Sequence, residues 1–135
     1  MSARIFIVED NPMIQNLLCK LLNKMPNFHV CGTASTAKEA LALLSTIEVD
    51  LLLIDISLPG ISGIDFVSML QSQQPQLRCL MLSGYQEPVY VKDALAAGAR
   101  GYVVKGAFYE LAGAIRQVLA GEIYLSKQVR MLCCP

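Results

Sequence analysis

Leu51-Leu52-Leu53-Ile54-Asp55 is an unbroken apolar run closed by a carboxylate. Such a run, with no polar residue at alternate positions, is the pattern of a strand covered on both faces. The pattern recurs along the chain. Ile5–Val8 is followed by Glu9 and Asp10, Cys79–Leu82 by Ser83, and Tyr102–Val104 by Lys105. Phe28–Cys31 reads as one further strand, closed by Gly32. Between these runs the apolar period becomes helical. Ile14, Leu17, Leu18, Leu21, Leu22 and Met25 form one stripe between Pro12 and Pro26. Thr36 and Glu39 make a capping box that opens a second helix carrying Ala37, Ala40, Leu41, Leu44 and Ile47. Ile64, Val67 and Leu70 follow the loop Leu58-Pro59-Gly60-Ile61-Ser62-Gly63. A fourth helix starts near Pro88 and ends at Gly98. A fifth, with Phe108, Leu111, Ala112, Ile115, Val118 and Leu119, ends at Gly121. Five strand–helix units in alternation predict an α/β fold, a doubly wound parallel sheet with helices on both faces. The stretch from Ile123 to Pro135 fits nowhere in this alternation.

Composition agrees with a single buried domain. The chain has 135 residues, of which 54% are apolar and only 16% charged. That excludes disorder, a coiled coil and a low-complexity linker. Lys and Arg total 11 and Asp and Glu total 11, so the basic footprint of a nucleic-acid binder is missing. Residues 1–60 hold six acids against four bases, which places the acidic excess in the first half. No apolar run is long enough for a membrane span, and the N-terminus does not read as a signal peptide. A cytoplasmic location is expected. Cys19, Cys31 and Cys79 sit in apolar sequence and are expected as buried thiols rather than disulfides. Adjacent Cys133 and Cys134 are too strained for an ordinary disulfide and lack the neighbours of a zinc site.

In open parallel sheets, ligands bind beyond the carboxyl ends of the strands. The polar residues at those ends are Glu9, Asp10, Asp55, Ser83 and Lys105. If the first and third strands are central neighbours, three carboxylates converge. They repel one another and need compensation. A hard divalent cation such as Mg²⁺ supplies it, using a few carboxylates and sharing a phosphate. A lysine ammonium and a serine hydroxyl beside it complete a site for a phosphoryl group, with one carboxylate as nucleophile. Glu9 and Asp10 also suit a helix N-cap. His29 and the six methionines suggest surface or packing roles.

These residues resemble the receiver domain of two-component response regulators. The resemblance rests on Val8-Glu9-Asp10-Asn11, Leu53-Ile54-Asp55-Ile56-Ser57-Leu58-Pro59-Gly60, Met81-Leu82-Ser83-Gly84 and Gly101-Tyr102-Val103-Val104-Lys105, in family order over about residues 3–120. Ala96-Ala97-Gly98-Ala99-Arg100-Gly101-Tyr102 and Ala120-Gly121-Glu122-Ile123-Tyr124-Leu125-Ser126 are most similar to receivers that precede a LuxR-type helix-turn-helix. The resemblance implies a flavodoxin-like five-stranded sheet of order 2-1-3-4-5 with five helices. It implies a receiver over residues 1–121 and an extension over 122–135 leading to an output domain not in this chain.

It also implies roles. Asp55 would accept phosphate from a sensor histidine kinase or a histidine phosphotransfer protein. Asp10, Asp55 and the backbone carbonyl of Ser57 would ligate Mg²⁺, with Glu9 acting through a water. Lys105 and Ser83 would contact phosphoryl oxygens, and Ser83 and Tyr102 would form the switch pair. DNA would be reached only through the output domain, and a homodimer is expected as a possible partner arrangement. No enzymatic turnover beyond self-phosphorylation and self-dephosphorylation is expected. Alternatives are a stand-alone receiver acting by protein contacts, a docking module without phosphorylation, a flavodoxin-like cofactor carrier, and an aspartate-nucleophile phosphatase. The phosphatase usually has a second acid two residues after the nucleophile, where this chain has Ser57. Many receivers have Lys-Pro after the fifth strand, whereas Lys105 precedes Gly106. Bulky Tyr85, two residues past Ser83, is expected to shield an acyl phosphate from water.

Overall fold

The computed structural model describes residues 2–133, with side chains described as far as residue 130. Its elements are β1 (Ala3–Val8), α1 (Pro12–Asn23), β2 (Phe28–Ala34), α2 (Ala37–Leu44), β3 (Leu51–Asp55) and α3 (Gly63–Gln73). These are followed by β4 (Arg78–Ser83), α4 (Pro88–Ala97), β5 (Gly101–Val104), a 3-10 turn (Phe108–Glu110), α5 (Leu111–Leu119), β6 (Tyr124–Leu125) and α6 (Lys127–Cys133). The strands form one sheet of order β2-β1-β3-β4-β5-β6, parallel throughout.

The sheet divides each apolar run between two cores because successive side chains point to opposite faces. Phe6, Val8, Leu52, Ile54, Cys79, Met81, Tyr102 and Val104 pack on one face with α2, α3 and α4. Ile5, Ile7, Leu51, Leu53, Leu80, Leu82 and Val103 pack on the other with α1 and α5. Every residue of β3 is buried, which accounts for its wholly apolar sequence before Asp55. Each such side chain contributes about 1.5–3 kcal/mol through removal from water.

Local chemistry sets the helix ends. Asn11 caps α1: its Oδ1 accepts from the amides of Met13 at 2.9 Å and Ile14 at 3.3 Å. The cap is therefore Asn11, not Glu9 or Asp10, and both acids are left for other work. At α2, Thr36 Oγ1 accepts from the Glu39 amide at 3.1 Å, while Glu39 Oε1 reaches the Ser35 amide at 3.2 Å. The capping box thus closes one residue early. Gly98 ends α4 at φ +114°, a left-handed conformation that a side chain disfavours.

Two expectations need correction. β2 does not stop at Gly32 but runs to Ala34. The β1–β2 register slips between Ile5 and Phe6, so Cys31 is the extra residue of a bulge. Gly32 continues the strand because a Cβ there would stand 2.7 Å from the Phe6 ring. Among the described residues the sheet also has six strands and there are six α-helices, against five of each expected. Tyr124 and Leu125 pair in parallel with Gly101 and Tyr102. Gly101 admits that neighbour, since a Cβ on it would lie 2.9 Å from the Tyr124 carbonyl. A two-residue strand carries no apolar run to announce it. α6 then packs on α4, with Val129 fully buried.

Cys19, Cys31 and Cys79 are free thiols; Cys79 is fully buried, with its pKa pushed up to about 12 by that burial, whereas Cys19 and Cys31 are only half-buried, short of the burial expected of them. The expectation for the Cys133–Cys134 pair lies outside the described side chains. His29 is exposed.

Gly63 shows how tightly the fold holds the end of β3. A Cβ there would run into the Asp55 carbonyl and meet Ile56 Cα at 2.9 Å, both backbone and unable to yield. Gly63→Ala is expected to lower stability by about 1–3 kcal/mol. The measurement is the denaturant midpoint, and a wild-type midpoint would contradict this packing.

Candidate functional site

The strand order makes β3 a direct neighbour of β1 and β4, with β5 next to β4. The carboxyl ends of these strands therefore meet at one rim of the sheet. Asp55, at the end of β3, is 4% exposed, and Glu9, just past β1, is 1% exposed. Asp10 beside it is exposed. One carboxylate oxygen from each of the three lies within 4.8 Å of the others.

Lys105 follows β5 and reaches across β4 to this group. Its Nζ is 3.1 Å from Asp55 Oδ2 and 3.0 Å from Glu9 Oε1. The second Asp55 oxygen, Oδ1, accepts from the Ser57 amide at 3.2 Å. Glu9 Oε2 accepts from the Asn11 amide at 3.0 Å. Gln15 Nε2 donates to the Glu9 carbonyl at 3.0 Å and ties α1 to this corner.

Burial pushes the Glu9 carboxyl above its ordinary range. The charge of Asp55 adds to that shift, while the Asn11 amide and Lys105 oppose it. Burial would depress Lys105, but its bonds to Glu9 and Asp55 outweigh burial and hold it above its ordinary value. Lys105 is therefore an ammonium at neutral pH. One ammonium faces three carboxylates, so negative charge remains. Glu9 Oε1 is also the buried side-chain oxygen, among the described residues, that lacks a directed hydrogen bond. It touches the ammonium as an ion pair without alignment. A cluster of oxygen donors with a single ammonium among three carboxylates fits a hard divalent cation.

Ser83 ends β4 and is fully buried. Its Oγ accepts from the Tyr85 amide at 3.0 Å, and its carbonyl accepts from the Lys105 amide at 2.8 Å. Tyr102 is also fully buried, and its hydroxyl donates to the Tyr85 carbonyl at 2.7 Å. Burial lifts the Tyr102 phenol to about 12, with the adjacent Ser83 hydroxyl opposing that shift. Tyr85 thus touches both. Its ring stacks on Tyr90 with centroids 4.4 Å apart, and its hydroxyl is 3.3 Å from Ser57 Oγ.

Glu9, Asp10, Asp55 and Lys105 come together at this rim, Ser57 and Ser83 are bonded to them through backbone groups, and Tyr102 is linked to Ser83 through Tyr85. Three contributors were not singled out, Gln15, Asn11 and Tyr90. Asn11 both caps α1 and holds Glu9, and Asn before Pro12 is an N-cap signal that sequence carries. Tyr90 supports Tyr85 from the next helix, a contact that no local pattern announces.

Residues 5–116 match the family described as response regulator receiver domain. The DNA-binding transcriptional activator DevR/DosR of Mycobacterium tuberculosis is 36% identical over 127 residues, covering 93% of this chain and 58% of that protein. The nitrate/nitrite response regulator NarL of Escherichia coli is 31% identical over 126 residues, with the same two shares. The chain thus spans less than two thirds of the length of these relatives. A LuxR-family two-component response regulator from Aurantimonas sp. SI85-9A1 superposes with a TM-score of 0.93 at 30% identity, over 97% of this chain and 94% of that one. The isolated REC domain of RcsB from Salmonella enterica serovar Typhimurium shares the fold, with a TM-score of 0.91 at 21% identity over 98% of this chain and 99% of that one. With the family match over residues 5–116 including strands β2 to β5 and the acidic rim, the chain belongs to the response regulator receiver domains of two-component systems, similar to those of LuxR-family regulators.

Proposed function

We propose that this chain is a phosphorylation-dependent switch with Asp55 as phosphoacceptor. The observation that carries this reading is the placement of Asp55. One of its oxygens is bonded to Lys105 Nζ, the other to the Ser57 amide, and two further carboxylates stand within 4.8 Å. An Asp55 oxygen attacks the phosphorus of a phosphohistidine on a sensor histidine kinase or histidine phosphotransfer protein. The phosphorus–nitrogen bond breaks, its electron pair returns to the imidazole, and Asp55 becomes an acyl phosphate.

Asp10, Asp55 and the Ser57 backbone carbonyl would hold Mg²⁺, with Glu9 acting through a water. The ion, when bound, neutralises charge on the phosphoryl oxygens. Lys105 keeps its ammonium directed at the same point and takes one phosphoryl oxygen. The Ser83 hydroxyl takes another. Since Ser83 Oγ now accepts from the Tyr85 amide, its engagement changes the loop that also receives the Tyr102 hydroxyl. Ser83 and Tyr102 are in this way the switch pair.

We assign residues 1–121 to the receiver and 122–135 to the lead into an output domain outside this chain. Transcription would be regulated through that domain, as suited to relatives described as DNA-binding. The face altered by Ser83 and Tyr102 would serve dimerisation. We place the protein in the cytoplasm, alongside the kinase domain that donates the phosphoryl group. Among the described residues, no helix is long and apolar enough to cross a membrane.

Exposure of the protein to acetyl phosphate and Mg²⁺ tests the assignment. Intact mass is expected to show one phosphoryl adduct, absent in Asp55→Asn. An adduct that persists in that variant removes Asp55 from the role. Lys105→Ala is expected to slow adduct formation on the order of 10²-fold, the scale for losing one preorganised charge donor; an unaltered rate would remove Lys105 from the reacting site. Tyr85, held by Tyr90 and Ser57, covers the approach of water. Tyr85→Ala is expected to shorten the adduct lifetime several-fold, and an unchanged lifetime refutes the shielding.

A further inference from the structure

Glu110 sits at the end of the 3-10 turn before α5. Its carboxylate collects three donors from the segment after α5. Tyr124 Oη donates to Oε1 at 2.6 Å, Ser126 Oγ donates to Oε2 at 3.0 Å, and the Lys127 amide reaches Oε1 at 3.4 Å. Ser126 is fully buried. It is bonded to β5 as well, because its amide donates to the Tyr102 carbonyl at 2.8 Å and its Oγ accepts from the Val104 amide at 3.0 Å. The Arg130 guanidinium lies 5.8 Å from the Tyr124 ring centroid and ties α6 to β6. Val129 of α6 is buried in the same core as Tyr102 and as Val91 and Ala94 of α4.

Adjacent peptide groups of β5 therefore serve two places. The Lys105 amide bonds back to Ser83, while the Val104 amide bonds forward to Ser126. The backbone of Val104 and Lys105 thus joins two sets of hydrogen bonds, one to Ser83 and the other to Ser126 and, through it, to Glu110. We propose that Glu110 is a latch that fastens the β6–α6 segment to β5, and that a phosphoryl group on Asp55 tightens this latch. The inference rests on the phosphoacceptor reading above. A phosphoryl group gives Lys105 and Ser83 charge-assisted partners and so orders the carboxyl end of β5. An ordered β5 opens less often, and the segment bonded to its backbone opens less often with it. The docking of α6 on α4 then reports the state of Asp55.

The test is amide hydrogen exchange by NMR on the full chain, with and without beryllofluoride and Mg²⁺. Fluorine signals verify the adduct, and Asp55→Asn serves as its control. In the wild type, the Val104 and Ser126 amides are expected to exchange more slowly once the adduct forms. In Glu110→Ala, both amides exchange faster by roughly 10-fold or more, as for loss of charge-assisted hydrogen bonds, and the adduct no longer slows them although it still forms. Tyr124→Phe removes a single donor and gives a smaller change of the same sign, which keeps the test available if Glu110→Ala folds poorly. Exchange that is unchanged or faster when the adduct has formed overturns the latch and leaves the phosphoacceptor reading intact. Wild-type exchange in the variants overturns it too. Failure to form an adduct in the wild type overturns the phosphoacceptor reading, and the latch with it.

Discussion

The Lys105 ammonium, held between Glu9 and Asp55 at 3.0 and 3.1 Å, is the interaction on which the site depends. Two buried carboxylates side by side repel, and burial alone disfavours their charge. A cation delivered from a different strand resolves this only if the ends of β1, β3 and β5 are brought to one rim. The parallel sheet does that, and its buried apolar runs hold the rim in place. Gly63, pressed against the Asp55 carbonyl, shows how little freedom is left there.

From that point the structure extends along β5. Lys105 faces the acids, Tyr102 is sealed in the core beneath Tyr85, and Val104 is bonded outward to Ser126. Tyr85 gathers the remaining strands of the site. Its amide, carbonyl and hydroxyl contact Ser83, Tyr102 and Ser57 respectively. A change in the charge at Asp55 thus meets two backbone-linked elements rather than isolated side chains. This is the kind of arrangement in which a small local shift selects between discrete packings.

Much of this was legible residue by residue. The runs at Ile5–Val8, Leu51–Ile54, Cys79–Leu82 and Tyr102–Val104 are buried strands, and the polar residue after each lies at the rim. Burial on both faces imposes a continuous apolar sequence, so these strands announce themselves. β2 is less legible because it forms the sheet edge and contains Gly32. A glycine in a strand signals either an end or a close approach, and only the position of the Phe6 ring decides between them. β6 is shorter still. Tyr124 and Leu125 are half-buried, and their pairing depends on Gly101, more than twenty residues earlier.

Sequence alone therefore determined the alternation of strands and helices and the composition of the rim. Each of these rests on local periodicity or on residue types at strand ends, while the family entered through the resemblance of its motifs and the match over residues 5–116. The tertiary structure decided which groups touch. It placed the Lys105 ammonium between Glu9 and Asp55, set the Tyr85 ring on Tyr90, and gave Glu110 the three donors of the β6–α6 segment. Those contacts join residues that lie apart in the chain. Their selection follows from the packing of the sheet, which no short stretch of sequence contains.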